Sequence, residues 1–334
     1  MFQIYNSSKS IWNKYIYKNK INYRSLYEWG EYKESLGWKI LRIVYTDNLQ
    51  RKYYFQCTYK TKFFFGAFYI PNGLIDKLQD IKSLTLFLKR FSKKKLIYIR
   101  IDDTKNVDKE NKILYKNLWS RPWYRVNNSL SAILDIKEYF SAERSLSNNY
   151  KKNLKKSVKF KNNIIVTNNP NSENLVEITT KMNQFKEMEI HSFRDFEMMN
   201  KKLGNFIKFV VIYDSNENPI SYRGALVIND YAWELCAANS FAGREKSSGY
   251  LTMEIMSKDL ERLNIKNYHL GAISPKMKGV SDFKLSTGSV VNKYIGEYEY
   301  SNIFFIKYLI NAVIFFSLSK NARKLIPFLS RFNY

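Results

Sequence analysis

Residues 231–273 read YAWELCAANSFAGREKSSGYLTMEIMSKDLERLNIKNYHLGAI. The opening YAWELCAANS has the composition of a strand. A polar turn, GREKSSG, leads straight into YLTMEIMSKDLERLNI, a helix by length and composition. YHLGAI then reads as a second strand. Strand, helix and strand with this much chain between them form a crossover, which predicts a parallel pair. On the N-terminal side, KFVVIYD and PISYRGALVIND form a hairpin around Ser215–Asn218. Before them come a strand at NIIVT, a helix from about 173 to 189, and a helical piece FRDFEMMNKKLG.

The first half has a similar grammar. A helix over 23–38 ends near Gly37, followed by the strands KILRIVYTD and RKYYFQCTYKTKFFFGAFYI. Asp47-Asn48 and Pro71-Asn72-Gly73 supply the turns. Residues 74–92 have helical apolar spacing, LIYIRID is a buried strand ending in acids, SAILDI is a short strand, and 137–159 reads as one helix. This mixed order predicts an α+β fold, with a mixed, mostly antiparallel sheet flanked by helices in each half. The expected divisions are 1–136, 137–300 and an apolar, basic helical tail, 301–334.

The chain has 334 residues, with 55 Lys+Arg against 30 Asp+Glu, a formal charge of +25. With 45% hydrophobic residues it is no disordered polybasic tail. The clearest basic runs are 89–95, 151–161 and 320–331. Cys57 and Cys236 stand far apart, which argues against a disulfide framework or a Cys-based zinc site. The only histidines, His191 and His269, leave no basis for a His-cluster metal site. The N-terminus lacks the charged and apolar regions of a secretory signal. The apolar run 302–319 contains Lys307 and Asn311 and falls short of a clean span. With the cations at 320–331 it suits a helix lying in a membrane interface, the other reading being a terminal helix packed on the core.

Arg244-Glu-Lys-Ser247-Ser-Gly249 resembles the Q/R-x-x-G-x-G/A turn of the GNAT acyl-CoA N-acyltransferases. In that family the turn holds the cofactor pyrophosphate on backbone N–H groups at a helix N-terminus. Here Ser247 replaces the first glycine, which hinders close approach of a pyrophosphate. The segment GVSDFKLSTGSVVNKYIGEY, 279–298, resembles the FemA/FemB-type aminoacyltransferases of peptidoglycan interpeptide bridges. Gly279, Phe283, Lys284, Gly288, Tyr294 and Gly296 match that family's G-x-x-x-F-K…G…Y-x-G pattern. Four further matches fall in order. Tyr27-Glu28-Trp29-Gly30-Glu31 resembles the opening helix, and Tyr69-Ile70-Pro71-Asn72-Gly73 a Y-I-P-R-G-P turn. Ile99-Arg100-Ile101-Asp102 resembles an R-I-D-P strand, with Asp103 for the proline. Tyr150-Lys151-Lys152 with Leu154-Lys155-Lys156 resembles a basic R-x-x-I-R-K-A helix. The resemblance spans about 23–300 and leaves no room for the family's long helical arm.

The resemblance implies two GNAT-like domains and transfer of an acyl or aminoacyl group to an amine without metal or bound cofactor. The implied donor is aminoacyl-tRNA or acyl-CoA. The implied acceptor is a lipid- or nucleotide-linked glycan or peptide, a peptidoglycan or surface-polysaccharide precursor. Lys284 then takes the family's phosphate-contacting role, with Phe283, Arg244, Ser247, Gly249, Tyr69, Lys152 and Lys155 as further substrate or phosphate contacts. Such a transfer needs placement, oxyanion stabilisation and a base for the amine proton. Asp102, Asp103 and Glu234 are the carboxylates positioned for that last role. The expected location is cytoplasmic, peripheral on the inner face of the membrane. The competing classes are a non-catalytic basic RNA-binding protein and a peripheral membrane scaffold attached through the tail.

Overall fold

The computed structural model describes residues 1–73, 80–107, 119–141, 145–160, 163–184 and 191–318. Two compact units emerge. One comprises residues 1–129 together with the chain from Lys293; the other is 130–292.

In the first unit the order is β1 (Phe2–Ile4), α1 (Lys9–Lys18), α2 (Tyr27–Ser35), β2 (Lys39–Thr46), β3 (Lys52–Lys62) and β4 (Phe65–Pro71). There follow α3 (Ile81–Ser92) and β5 (Leu96–Asn106). Strands β1 to β4 pair antiparallel in succession, and β4 runs parallel to β5. Helix α3 is the crossover. Asp80 caps it through the Ser83 amide at 3.0 Å, and Ile81, Leu84 and Leu88 face the core. Only 81–92 of the expected helix 74–92 is seen, and 74–79 lie outside the described residues.

The second unit contains β6 (Leu130–Asp135), α4 (Ile136–Tyr139), α5 (Asn148–Val158), β7 (Asn163–Thr167), α6 (Ser172–Asn183) and α7 (Phe193–Leu203). Then come β8 (Ile207–Tyr213), β9 (Pro219–Ile228), β10 (Tyr231–Asn239), α8 (Phe241–Glu245), α9 (Ser248–Arg262), β11 (Asn267–Ala272) and α10 (Lys278–Ser286). Strands β7 to β10 pair antiparallel in succession, β10 runs parallel to β11, and β11 pairs antiparallel with β6. The parallel pair expected from 231–273 is present. The helix expected over 137–159 is two helices, because Ser147 starts α5 afresh by accepting the Tyr150 amide at 3.1 Å. Residues 142–144 and 185–190 lie outside the described set, and with the latter the end of the helix expected over 173–189.

Strand β12 (Val290–Ser301) pairs antiparallel with β5, and α11 (Ile306–Leu318) follows it. The units therefore part at 129/130 and 292/293, not at 136 and 300. The cause is pairing: β6 hydrogen-bonds to β11 and β12 to β5, so each strand joins the sheet it completes. The two sheets share one plan. Each has four successive antiparallel strands, a helical crossover to a parallel fifth, and an antiparallel sixth: β12, returning from beyond the second unit, in one and β6, at the unit's own start, in the other.

The tail expectation changes too. Helix α11 belongs to the first unit, where Asn311 and Ile314 are fully buried. Residues 319–334, with the cations of 320–331, lie outside the described set. No helix among the described residues is long and apolar enough to cross a membrane.

Candidate functional site

Several of the sequence-derived residues gather in two places, one in each unit. In the first, β5 carries Asp102 and Asp103, both buried. Parallel register sets Pro71 of β4 beside Asp102, with Tyr69 two residues earlier, and antiparallel register sets Glu297 of β12 opposite Asp102. Arg24 Nη1 stands 3.5 Å from Asp102 Oδ2. Burial pushes the Asp102 carboxyl up to about 6; Arg24 and the Tyr69 hydroxyl pull it down, and the charges of Glu297 and Asp103 push it up. Glu297 itself is satisfied. It accepts the Val126 amide at 2.9 Å, the Asn127 amide at 3.2 Å and the Asn127 side chain at 3.0 Å. Asn127 also donates to the Tyr69 hydroxyl at 3.0 Å. Asp103 accepts the Lys105 amide at 2.9 Å, which ties it into its own strand end.

Behind these lies a network on the same strands. Arg100 donates to Tyr98 Oη at 2.9 Å and to Asn311 Oδ1 at 2.7 Å, and Asn311 donates to Glu299 at 2.6 Å. Glu297 Oε2 and Glu299 Oε2 are 3.8 Å and 3.7 Å from the guanidinium. Arg24, Asn127 and Glu297 were not singled out from sequence. Glu297 directly follows the matched Gly296, and that adjacency was its one signal.

In the second unit, β10 and β11 pair only through Tyr231–Trp233 and Asn267–His269. Beyond that point both strands are irregular, at Glu234/Cys236 and at His269/Gly271. The strands part beside Glu234, whereas β4 and β5 stay paired over all of Phe65–Pro71. Glu234 forms an ion pair with buried Arg223 of β9. Strand β9 is central and buried along nearly its whole length, so an arginine there needs a carboxylate partner. Lys284, on α10 and not on a strand edge, is also buried; its Nζ donates to Ala272 O at 3.1 Å. Burial lowers its pKa, Glu234 raises it and Arg223 lowers it again. Two cations and one carboxylate thus share this pocket of β9, β10 and α10. Phe283 packs between Tyr150 and Tyr250, with the Arg223 guanidinium 5.4 Å from its ring centre.

The R-x-x-S-x-G turn leads from α8 into α9. Ser247 is left-handed at φ +56°, buried, and its hydroxyl donates to Asn153 at 3.1 Å. A Cβ on Gly249 would meet the Asn239 side chain at 3.0 Å, so this glycine serves close packing of α9 on β10. Arg244 is exposed, and so are Lys152 and Lys155 on α5. His269 stacks on Trp233 at 5.3 Å, and burial lowers it to about 4, which leaves a neutral ring. Burial also pushes both Cys57 and Cys236 up, so neither is a thiolate. Among the described residues no group of three or more His, Cys, Asp or Glu is placed to hold a metal ion. An open groove beside α1, lined by Lys9, Asn13, Tyr17 and Glu28, contains none of the candidate residues.

No family model matches the sequence, and no curated protein matches it. Solved structures do. FemX is similar over 92% of this chain and 100% of its own, with a TM-score of 0.75 at 12% identity. A conserved protein of unknown function from Bacteroides thetaiotaomicron is similar over 90% of this chain and 99% of its own, with a TM-score of 0.59 at 9% identity. The C-terminal domain of a protein named as a lysylphosphatidylglycerol synthetase, from Agrobacterium fabrum, is similar over 82% of this chain and 88% of its own (TM-score 0.53, 8% identity). The chain therefore has the FemX fold, the architecture that the F-K segment and the four motifs before it led us to expect.

Proposed function

We propose that this protein is an aminoacyltransferase that forms an amide on an amine of a lipid- or nucleotide-linked cell-wall precursor, at the cytoplasmic face of the membrane. The observation that carries the reading is Asp102, a buried carboxyl raised to about 6 within β5, with its own arginine and tyrosine. A base of that strength takes a proton from an attacking amine near neutral pH. In the reaction the acceptor nitrogen bonds to the acyl carbon, and the ester C–O bond to the tRNA breaks. The amine proton passes to Asp102 and then to the departing hydroxyl. In the second unit, Lys284 with Arg223 behind it is a positive point suited to an anionic oxygen, a phosphate in the family-derived assignment.

Aminoacyl-tRNA is the donor we favour over acyl-CoA. The support is Ser247, whose side chain occupies the turn where a pyrophosphate needs glycine. The Agrobacterium neighbour, named for lysylphosphatidylglycerol synthesis, also fits aminoacyl transfer. Peptidoglycan and surface-polysaccharide precursors both offer such acceptors. To test this, the purified chain is incubated with labelled aminoacyl-tRNA or labelled acyl-CoA and isolated precursor-bearing membranes. Label entering a precursor from aminoacyl-tRNA is the expected result. Label from acyl-CoA alone overturns the donor, and label from neither overturns the enzyme.

A further inference from the structure

Helix α11 is amphipathic the wrong way round for a helix with water on its outer side. Its inward face carries Asn311, Ile314 and Ser317, all buried, with Asn311 engaged by Arg100 and Glu299. Its outward face carries Tyr308, Leu309, Phe315 and Phe316, between 38% and 58% exposed. Phe304 and Phe305, in the turn before it, are 68% and 61% exposed. Trp123, 53% exposed, extends the patch by packing on Phe315 at 5.8 Å. A patch this apolar on one side of a soluble domain marks a surface that something covers.

The charges around it say what. Lys307 Nζ lies 4.5 Å from the Phe304 ring centre, and exposed Arg125 follows Trp123 by two residues. From Asn302 to Leu318 Lys307 is the one charged residue, and Ser120–Ser129 holds Arg121 and Arg125 and no Asp or Glu. A second copy docking here about a two-fold axis would set these cations against their own images. An anionic bilayer meets both halves of the pattern, aromatic side chains for the interface and cations for the headgroups. We infer that the outward face of α11, with Phe304, Phe305 and Trp123, docks on an anionic lipid surface. This stands on the first unit's geometry alone and does not depend on the transferase reading.

The test is co-sedimentation of the full chain with phosphatidylcholine vesicles, with and without phosphatidylglycerol, and without donor or acceptor. Binding should require phosphatidylglycerol and weaken with salt. The triple variant Tyr308→Ser/Leu309→Ser/Phe316→Ser keeps every cation and alters only exposed positions. It should lose at least about tenfold in partitioning at an unchanged melting temperature. Phe304→Ser/Phe305→Ser, outside the helix, should act in the same direction. Wild-type partitioning by both variants overturns the proposal, as does equal binding to both vesicle types. A wild-type dimer that the triple variant dissolves, without lipid binding, assigns the face to a second copy and also overturns it.

Discussion

Asp102 gives the sharpest test at the scale of one residue. Its folded pKa is raised from 3.8 to about 6, so the folded state holds this proton more tightly than the unfolded chain. Its contribution to stability is present in full below pH about 4 and is lost as pH rises through about 6, a swing of about 3 kcal/mol. Asp102→Asn should therefore raise the melting temperature at pH 7.5 and leave it nearly unchanged at the acid end, read by thermal denaturation at both. Transfer in the wild type should fall as pH drops through about 6, because the base must be ionised. Lys284→Met keeps the aliphatic stem and removes the charge. We expect transfer to fall about a hundredfold with little change in melting temperature. A melting temperature that drops sharply while transfer survives would make Lys284 a structural lysine. The carboxylate was legible in IRIDD as an acid on a buried strand, although β5 does not end there and runs on to Asn106. Its perturbation was not, because Glu297 arrives opposite it from a distant strand and Arg24 from the beginning of the chain. Arg223 was hidden in the same way, since only the central place of β9 makes an arginine in PISYRGALVIND a buried one.

At the scale of elements, the crossover in 231–273 was readable because the strand–turn–helix–strand order is local. The break between α4 and α5 was missed because a serine N-cap inside a lysine-rich stretch leaves the helical periodicity almost intact. The tail helix was legible as an element but its two faces were not: apolarity reports that a helix seeks cover, not on which side. Asn311, which looked like a blemish in a membrane-seeking run, is the residue that fastens α11 to β5 and β12. Asn311→Leu strips partners from Arg100 and Glu299 in a buried site. It should cost about 1–3 kcal/mol, measured by urea denaturation. An unchanged midpoint would mean that α11 does not rest on this network in solution.

For the whole molecule, the repetition of one sheet plan was visible only as two similar sequences of elements. The return of β12 to the first sheet was not, because strand pairing between distant segments leaves little local trace. It makes an asymmetric prediction. The fragment 130–292 contains every strand of its sheet and should unfold cooperatively, whereas 1–129 lacks β12 and should not, with circular dichroism during thermal melts as the measurement. Cooperative melting of 1–129 alone would refute it. The late return of β12 also bears on how the chain is made. A ribosome delivers residues in order, and domains ordinarily close in that order. Here the unit that begins first cannot close until β12 has been delivered, after the whole of 130–292. The later-born half is expected to be finished while the earlier one still waits with β5 uncovered, an interval in which a nascent chain depends on chaperones.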